Sequence, residues 1–143
     1  MKTSSILDRK GGAVVTISAN ANLKAAATVM RDRRIAALVV LRDHKPVGVI
    51  SERDIVAALA QHGQSAGAIW VKDVLSPRLV SITTDDTVER AMSLMTHGHL
   101  RHLPVINDGA LKGIISLGDI VKYRLEELEM ESNVLRDLAV AVR

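Results

Sequence analysis

An eight-residue stretch, Gly48-Val49-Ile50-Ser51-Glu52-Arg53-Asp54-Ile55, returns 65 positions later as Gly113-Ile114-Ile115-Ser116-Leu117-Gly118-Asp119-Ile120. The surrounding sequence keeps the same register, since 15–56 aligns with 80–121 without a gap. An internal repeat of this kind indicates two copies of one supersecondary unit that bury a face against each other. Any cleft between the copies is therefore expected twice, related by an approximate two-fold axis.

The composition is typical of a globular domain. Of the 143 residues, 48% are hydrophobic and 24% are charged, so the chain can bury an ordinary core. The sequence has no cysteine, which excludes disulfides and thiolate metal sites. The net charge of +3 is spread along a chain with one Trp and one Tyr, so nucleic acid is a disfavoured partner. No apolar run approaches the ~20 residues of a membrane span and no secretory signal is present, so we expect a cytoplasmic protein without a membrane partner.

Each copy changes its hydrophobic period in the same order. A short apolar strand, at 14–17 or 79–82, precedes apolar residues at i, i+3, i+4 and i+7, which predict a helix. Two apolar runs separated by turn residues then predict a β-hairpin. A second helix begins at Ser51 or Ser116. The predicted fold class is therefore α+β, with two pseudo-symmetric β-α-β-β-α repeats whose small sheets pack against helices, plus a C-terminal helix.

The repeat divides the chain into a first motif at 1–67, a second at 68–124 and a C-terminal helix at 125–143. Short helices are expected at 5–7 and 71–75, each leading into the repeat that follows it. The tail carries apolar residues at heptad-like spacing, and two alternatives stay open for it: packing on a partner subunit or lying on its own domain. The first alternative corresponds to a homodimer, and the sequence does not identify an effector protein.

Each copy ends its last strand at a serine that an aspartate follows three residues later. These pairs, Ser51 with Asp54 and Ser116 with Asp119, begin helices, where free backbone N–H groups favour anions. The carboxylate can accept two hydrogen bonds from a ribose cis-diol. The alternative interpretation is a helix cap with serine at the N-cap position. The recurrence of the pair at the same repeat position shifts the balance toward binding.

A second candidate site is the run from His97 to Val105, which contains three histidines and Arg101. A His-based metal-dependent enzyme is one interpretation, but no nearby carboxylate or cysteine completes a metal set. On a strand, His97, His99 and Arg101 would share the face opposite His102. Arg101 and His102 are better interpreted as donors to a phosphate, and a solvated surface cluster is the other alternative. No catalytic motif such as G-x-S-x-G or H-E-x-x-H occurs, so the sequence predicts a protein that is not an enzyme.

The gapless repeat, the G-h-h-S-x-x-D ending of each copy and Arg101-His102-Leu103-Pro104-Val105 at the start of a strand resemble a tandem pair of cystathionine β-synthase (CBS) domains. Such a pair is also called a Bateman module, and the resemblance covers about 5–124. It is to small stand-alone bacterial proteins of this family. The resemblance implies a regulatory sensor module that binds AMP, ADP, ATP or NAD in two clefts, each built from both repeats. Ligand-dependent conformational change would then transmit the signal.

The same resemblance implies roles for individual residues. The aspartates would hold ribose, the backbone at 35–36 and 100–101 would contact adenine, and Arg101 with His102 would hold phosphate. Pro104 belongs to the predicted set through the strand-opening motif. The first cleft is expected to combine Thr16, Ile35 and Ala36 with Arg101, His102, Ser116 and Asp119. The second is expected to combine Ser81, Leu100 and Arg101 with Ser51, Arg53 and Asp54, beside Ala36 and Ala37.

These two sets predict unequal clefts. The first should prefer AMP or ADP because its basic residues can hold phosphate. The second meets alanines where phosphate donors would lie and has Arg53 as its one strong cation, so it should be weaker or take a different adenosyl ligand such as NAD. An interaction or DNA-associated protein with a vestigial site is the alternative function. Retention of both Ser/Asp pairs argues against such decay.

Overall fold

The computed structural model of the chain describes residues 1–75 and 78–142. Two β-hairpins, each accompanied by helices, give the α+β architecture predicted from the repeat, which confirms the fold class. In chain order the elements are α1 (Thr3–Lys10), β1 (Thr16–Ser18), α2 (Leu23–Arg33), β2 (Ala37–Arg42), β3 (Lys45–Ser51), α3 (Glu52–His62), a 3-10 helix (Gly63–Ala68), α4 (Val71–Val74), α5 (Val88–Gly98), β4 (His102–Asn107), β5 (Ala110–Ser116) and α6 (Leu117–Val142).

The two sheets differ by one strand. In the first repeat β1 runs parallel to β2, which pairs antiparallel with β3, whereas the second repeat has the β4–β5 hairpin. The strand predicted at 79–82 is reduced to a single parallel bridge between Ile82 and Val105. The amides that follow it donate to side chains instead, Thr83 to Asp86 at 2.7 Å and Thr84 to Asn107 at 3.1 Å. The backbone therefore leaves the sheet directly after Ile82.

Helices α2 and α5 begin and end at equivalent positions. Asn22 caps α2 by accepting a hydrogen bond from the amide of Ala25, and α2 ends at Arg34 in the left-handed region at φ 54°. Helix α5 ends in the same way at His99, at φ 53°. Because α5 runs to Gly98, the strand alternation considered for His97, His99 and Arg101 is wrong, and β4 begins only at His102.

Each repeat has its own hydrophobic core, and each core is completed by a short helix that precedes the other repeat. Val71 of α4 lies in the first core, whereas Ile6 and Leu7 of α1 lie in the second. Backbone bridges repeat this arrangement, joining Lys2 to Thr87 and Asn22 to Trp70. The two short helices thus lead into the following repeat along the chain but pack on the opposite one.

The second helix of the second repeat and the predicted C-terminal helix form one continuous helix, α6, which spans 26 residues. Its first turns are anchored by the buried Ile120 and Tyr123. Every residue from 128 to 141 is exposed, so this part does not lie on its own domain. Arg143 lies outside the described residues. None of the helices in the described part of the chain combines the length and apolar character needed to cross a bilayer, and the cytoplasmic location stays a prediction.

Candidate functional site

Both Ser/Asp pairs form caps at the start of a helix. The amide and hydroxyl of Ser51 donate to Oδ2 of Asp54 at 2.8 and 3.1 Å. In the second repeat the amide of Ser116 donates to Oδ2 of Asp119 at 2.8 Å, and the Asp119 amide donates to Ser116 Oγ at 3.0 Å. The capping interpretation is thus realised at both sites. A cap of this kind also fixes a carboxylate at a helix N-terminus, where it can serve a ligand.

The Asp54 pair opens onto a cavity of about 470 Å³ between the two repeats, which we call the Asp54 cleft. This volume falls within the range of about 300–1,000 Å³ that is typical of small-molecule sites. The end of β3 and the start of α3 form one wall, and the residues before β4 form the other. The lining residues are Ala36, Val49, Ser51, Glu52, Arg53, Asp54, Ala57, His99, Leu100, Arg101 and His102.

This cavity gathers most of the residues that the sequence assigned to the second cleft. Ala37 is not among its lining residues because it is buried in β2, and the exposed Ser81 does not line it either. His102 lines it although the sequence assigned it to the first cleft, and Arg101 joins Arg53, so Arg53 is not the single strong cation there. The lining also includes Val49, Glu52 and Ala57, which the sequence analysis did not select, and His99, which it considered only within the run from His97 to Val105. The i+3 spacing from Asp54 could have identified Ala57.

The residues predicted for the first cleft are not gathered in the same way. Ser116 lines an open groove of about 830 Å³ along α6, together with Arg101 and His102. Asp119 instead faces a smaller hollow of about 280 Å³ between α1 and α6, which we call the Asp119 hollow. Within the described part of the chain, Thr16, Ile35 and Ala36 line neither space. Pro104 is fully buried in β4, where its carbonyl accepts a hydrogen bond from the Ile82 amide at 3.1 Å.

The last residue of α1, Lys10, adds a second partner to Asp119 beside Ser116. The ammonium group of Lys10 donates to Oδ2 of Asp119 at 2.6 Å and to the carbonyl oxygen of Ile114 at 2.8 Å. Burial by itself would raise the pKa of Asp119, but hydrogen bonds from Lys10 and from the Ser116 amide outweigh it and hold this pKa below its ordinary value of 3.8. Asp119 is therefore ionised and paired at neutral pH. No sequence signal pointed to Lys10, because α1 lies outside the repeat.

Several charged side chains act on the imidazole of His102. Burial lowers the pKa of its imidazole below 6.5, the positive charges of Lys10 and Arg101 lower it further, and Asp119 and Glu52 oppose them. A neutral imidazole beside two cations is a favourable environment for an anion. The negative charge of the anion offsets the positive charges of Lys10 and Arg101, and this allows the imidazole to take up a proton. In the part of the chain that the structure describes, no group of three potential metal ligands comes together.

Comparison with known proteins agrees with this architecture. The family model of the CBS domain matches residues 9–61 and 71–126. A solved structure of a CBS-domain protein from Agrobacterium tumefaciens superposes with a TM-score of 0.83 at 35% identity, covering 87% of this chain and 99% of that one. The CBS domain-containing protein YhcV of Bacillus subtilis is 32% identical over 117 residues, 82% of this chain and 83% of YhcV. The mitochondrial CBS domain-containing protein CBSX3 of Arabidopsis thaliana is 34% identical over 103 residues, and the matched part spans only 50% of its length.

Proposed function

The chain belongs to the CBS-domain family, and on this premise we propose that it is a non-catalytic sensor of adenine nucleotides with its main site in the Asp54 cleft. Pairs of CBS domains are in general regulatory modules. One observation carries the proposal: Ser51 and Asp54 of one repeat face Arg101 and His102 of the other across a cavity of about 470 Å³. A ligand held there would contact both repeats at once.

The cleft offers a partner for each part of an adenosine phosphate. The Asp54 carboxylate accepts hydrogen bonds from the ribose hydroxyls. Arg53, Arg101 and a protonated His102 provide cationic donors for phosphate oxygens. The apolar side chains of Val49 and Leu100 provide a surface on which the base packs. AMP, ADP and ATP are therefore the proposed ligands, with NAD as the larger alternative.

This proposal reverses the order of the two sites expected from the sequence. That expectation placed AMP or ADP with Asp119 because Arg101 and His102 were assigned to the first cleft. In the structure both residues precede or begin β4, and they line the cavity beside Asp54 as well as the groove beside Ser116. The Asp54 cleft therefore gains the phosphate donors, whereas Asp119 is paired with Lys10.

The test is a thermal-shift panel of AMP, ADP, ATP, NAD and S-adenosylmethionine on the wild-type chain and on Asp54→Ala. A ligand that binds the folded state raises the melting temperature by mass action. We expect the wild type to respond to adenine nucleotides and Asp54→Ala to respond much less at the same concentration. A flat response of the wild type to the whole panel would refute the proposal and favour an interaction or DNA-associated protein.

The proposed assembly is a homodimer that forms through the exposed face of α6. Apolar side chains cover this face, and Leu128 and Leu135 are 47% and 67% exposed. Charges of alternating sign flank the stripe at intervals of seven residues, so two copies can place opposite charges against each other. One edge carries Lys122, Glu129 and Arg136, and the other carries Arg124 and Glu131.

The dimer can be tested by sedimentation velocity. Leu135→Asp should dissociate it, because a carboxylate in the apolar seam must be desolvated. Asp137→Asn, two residues further along and therefore on the opposite face of the helix, is the matched control and should remain a dimer. In this proposal nucleotide binding changes the orientation of the two repeats, and α6 transmits the change to an effector protein. Solution scattering that is identical with and without saturating nucleotide would contradict that route.

A further inference from the structure

We infer that Lys10 determines which cleft takes ligand first, because it acts as a built-in counter-ion that blocks Asp119. The inference rests on the proposed function and extends it to the order in which the two sites fill. Nucleotide enters the Asp54 cleft without displacing any ion pair made by Lys10. It reaches Asp119 only after the Lys10 ammonium has left the carboxylate.

The contact geometry explains why the two cannot coexist easily. Lys10 Nζ lies 2.6 Å from Oδ2 of Asp119, and the Ser116 amide donates to this same oxygen at 2.8 Å. The side chains of Lys10 and Asp119 are 32% and 23% exposed, so the pair is partly shielded from water. A ribose diol needs two acceptor positions on the carboxylate. Oδ2 of Asp119 already accepts from two donors, and one of them is an ammonium group, so a diol that engages this oxygen must break an ion pair.

The equivalent carboxylate in the first repeat is held differently. Ser51 donates two hydrogen bonds to Oδ2 of Asp54, from its backbone amide at 2.8 Å and from its hydroxyl at 3.1 Å. The hydroxyl can rotate toward a ligand without breaking an ion pair. The two clefts therefore differ in what must be displaced before ribose can bind.

Lys10 can release Asp119 while α1 stays in place. The helix is anchored by the buried Ile6 and Leu7, and Arg9 both pairs with Glu126 and lies over the Tyr123 ring at 4.9 Å. Lys10 is the last residue of α1, and the backbone of Gly11 turns away at φ 92°. Movement of the Lys10 side chain therefore requires no change in the packing of the helix.

The experiment measures AMP binding by calorimetry in an Asp54→Ala background, in which the Asp119 site is the one that remains. We expect Lys10→Gln to tighten AMP binding at this site by about threefold to tenfold, the range set by one partly shielded ion pair. Lys2→Gln is the matched control, because it removes the same charge from the pair that Lys2 makes with Asp85, at 3.7 Å and highly exposed. This control should leave AMP affinity unchanged.

The outcomes separate the inference from the proposed function. If AMP binds the wild type through Asp54 but Lys10→Gln leaves the Asp119 site unchanged or weaker, the inference fails and the proposed function stands. If no variant binds any nucleotide, the proposed function fails and the inference fails with it. A second readout is the pKa of Asp119 followed by NMR, which Lys10→Gln should raise and Lys2→Gln should not. A constant Asp119 pKa would show that Lys10 does not act as its counter-ion and would overturn the inference without any ligand.

Discussion

The Asp54 cleft and the Asp119 hollow start from the same eight-residue unit and differ in what surrounds it. Ser51 and Asp54 share one cavity with residues of the opposite repeat, whereas Ser116 and Asp119 face separate spaces on either side of the α6 N-terminus. The difference comes from α1, which inserts Lys10 against Asp119. The two Ser/Asp caps are therefore alike, but their sites differ because α1, which is not part of the repeat, contacts only one of them.

The two short helices that complete the cores, α1 and α4, also differ in how tightly they pack. Helix α1 has eight residues and places Leu7 against Gly113, whereas α4 has four residues and precedes Leu75, which lies against Gly48. A Cβ at Gly113 would come within 2.5 Å of the Leu7 side chain, but a Cβ at Gly48 would lie 3.4 Å from Leu75. The second repeat is therefore packed more tightly against its short helix than the first.

The largest expected effect compares the two aspartates. Asp54→Ala should weaken AMP binding by about 10-fold to 100-fold, because charge-assisted hydrogen bonds to ribose contribute about 1.5–3 kcal/mol. Asp119→Ala should weaken it by less than about threefold, since this carboxylate is paired with Lys10. Calorimetry of both variants measures the difference. Equal losses would remove the asymmetry, and a larger loss at Asp119 would restore the order expected from the sequence.

An effect of intermediate size is expected on stability, when the same substitution is made at Gly48 and at Gly113. Gly113→Ala should lower the free energy of unfolding by about 1–3 kcal/mol, because the new methyl group forces the buried Leu7 from its place. Gly48→Ala should cost less than about 1 kcal/mol, since its methyl group would make an ordinary contact with Leu75. Urea denaturation of both variants gives the two values. The interpretation of tighter packing in the second repeat would be wrong if Gly48→Ala proved the more destabilising.

The smallest expected effect is on pH dependence. Burial lowers the pKa of His102 below 6.5, so as the pH falls beneath that value the unfolded chain takes up a proton before the folded one does. The stability that depends on neutral His102 is therefore present above pH 6.5 and is lost below it. His102→Gln should show a weaker loss of unfolding free energy between neutral and mildly acidic pH than the wild type. Parallel pH profiles for the two proteins would show that His102 is not buried as described.

Bound phosphate should favour protonation of His102, which is the opposite of the effect of burial. A bound anion favours the protonated imidazole, so binding draws a proton onto His102, and AMP affinity should rise as the pH falls through the window below 6.5. In His102→Gln the rise should be smaller, and the part that remains reports titration of the phosphate and of other groups. Calorimetry in buffers of different ionisation enthalpy measures this proton uptake directly.

Local features of the sequence predicted most of the elements. The hairpins, the paired helices and the serine caps follow from hydrophobic period, turn residues and spacing within a few positions, and the repeat shows each of them twice. The strand considered for His97 and Arg101 was wrong because helix α5 continues to Gly98 and ends only at the left-handed residue His99. The strand predicted at 79–82 is reduced to one bridge because Pro104 has no amide to donate, whereas Val39 at the equivalent position of the first repeat donates to the carbonyl of Val15 at 3.3 Å.

The sequence by itself determined the fold, its organisation as two copies of one unit and the two carboxylates at helix N-termini, because these depend on patterns within each copy. Only the tertiary structure decided that Arg101 and His102 face Asp54 and that Lys10 of α1 pairs with Asp119. Both facts depend on where segments far apart in the chain pack, since Lys10 and Asp119 are 109 positions apart. The repeat in the sequence shows what the two copies have in common, whereas the packing of α1 in the folded chain makes their sites unequal.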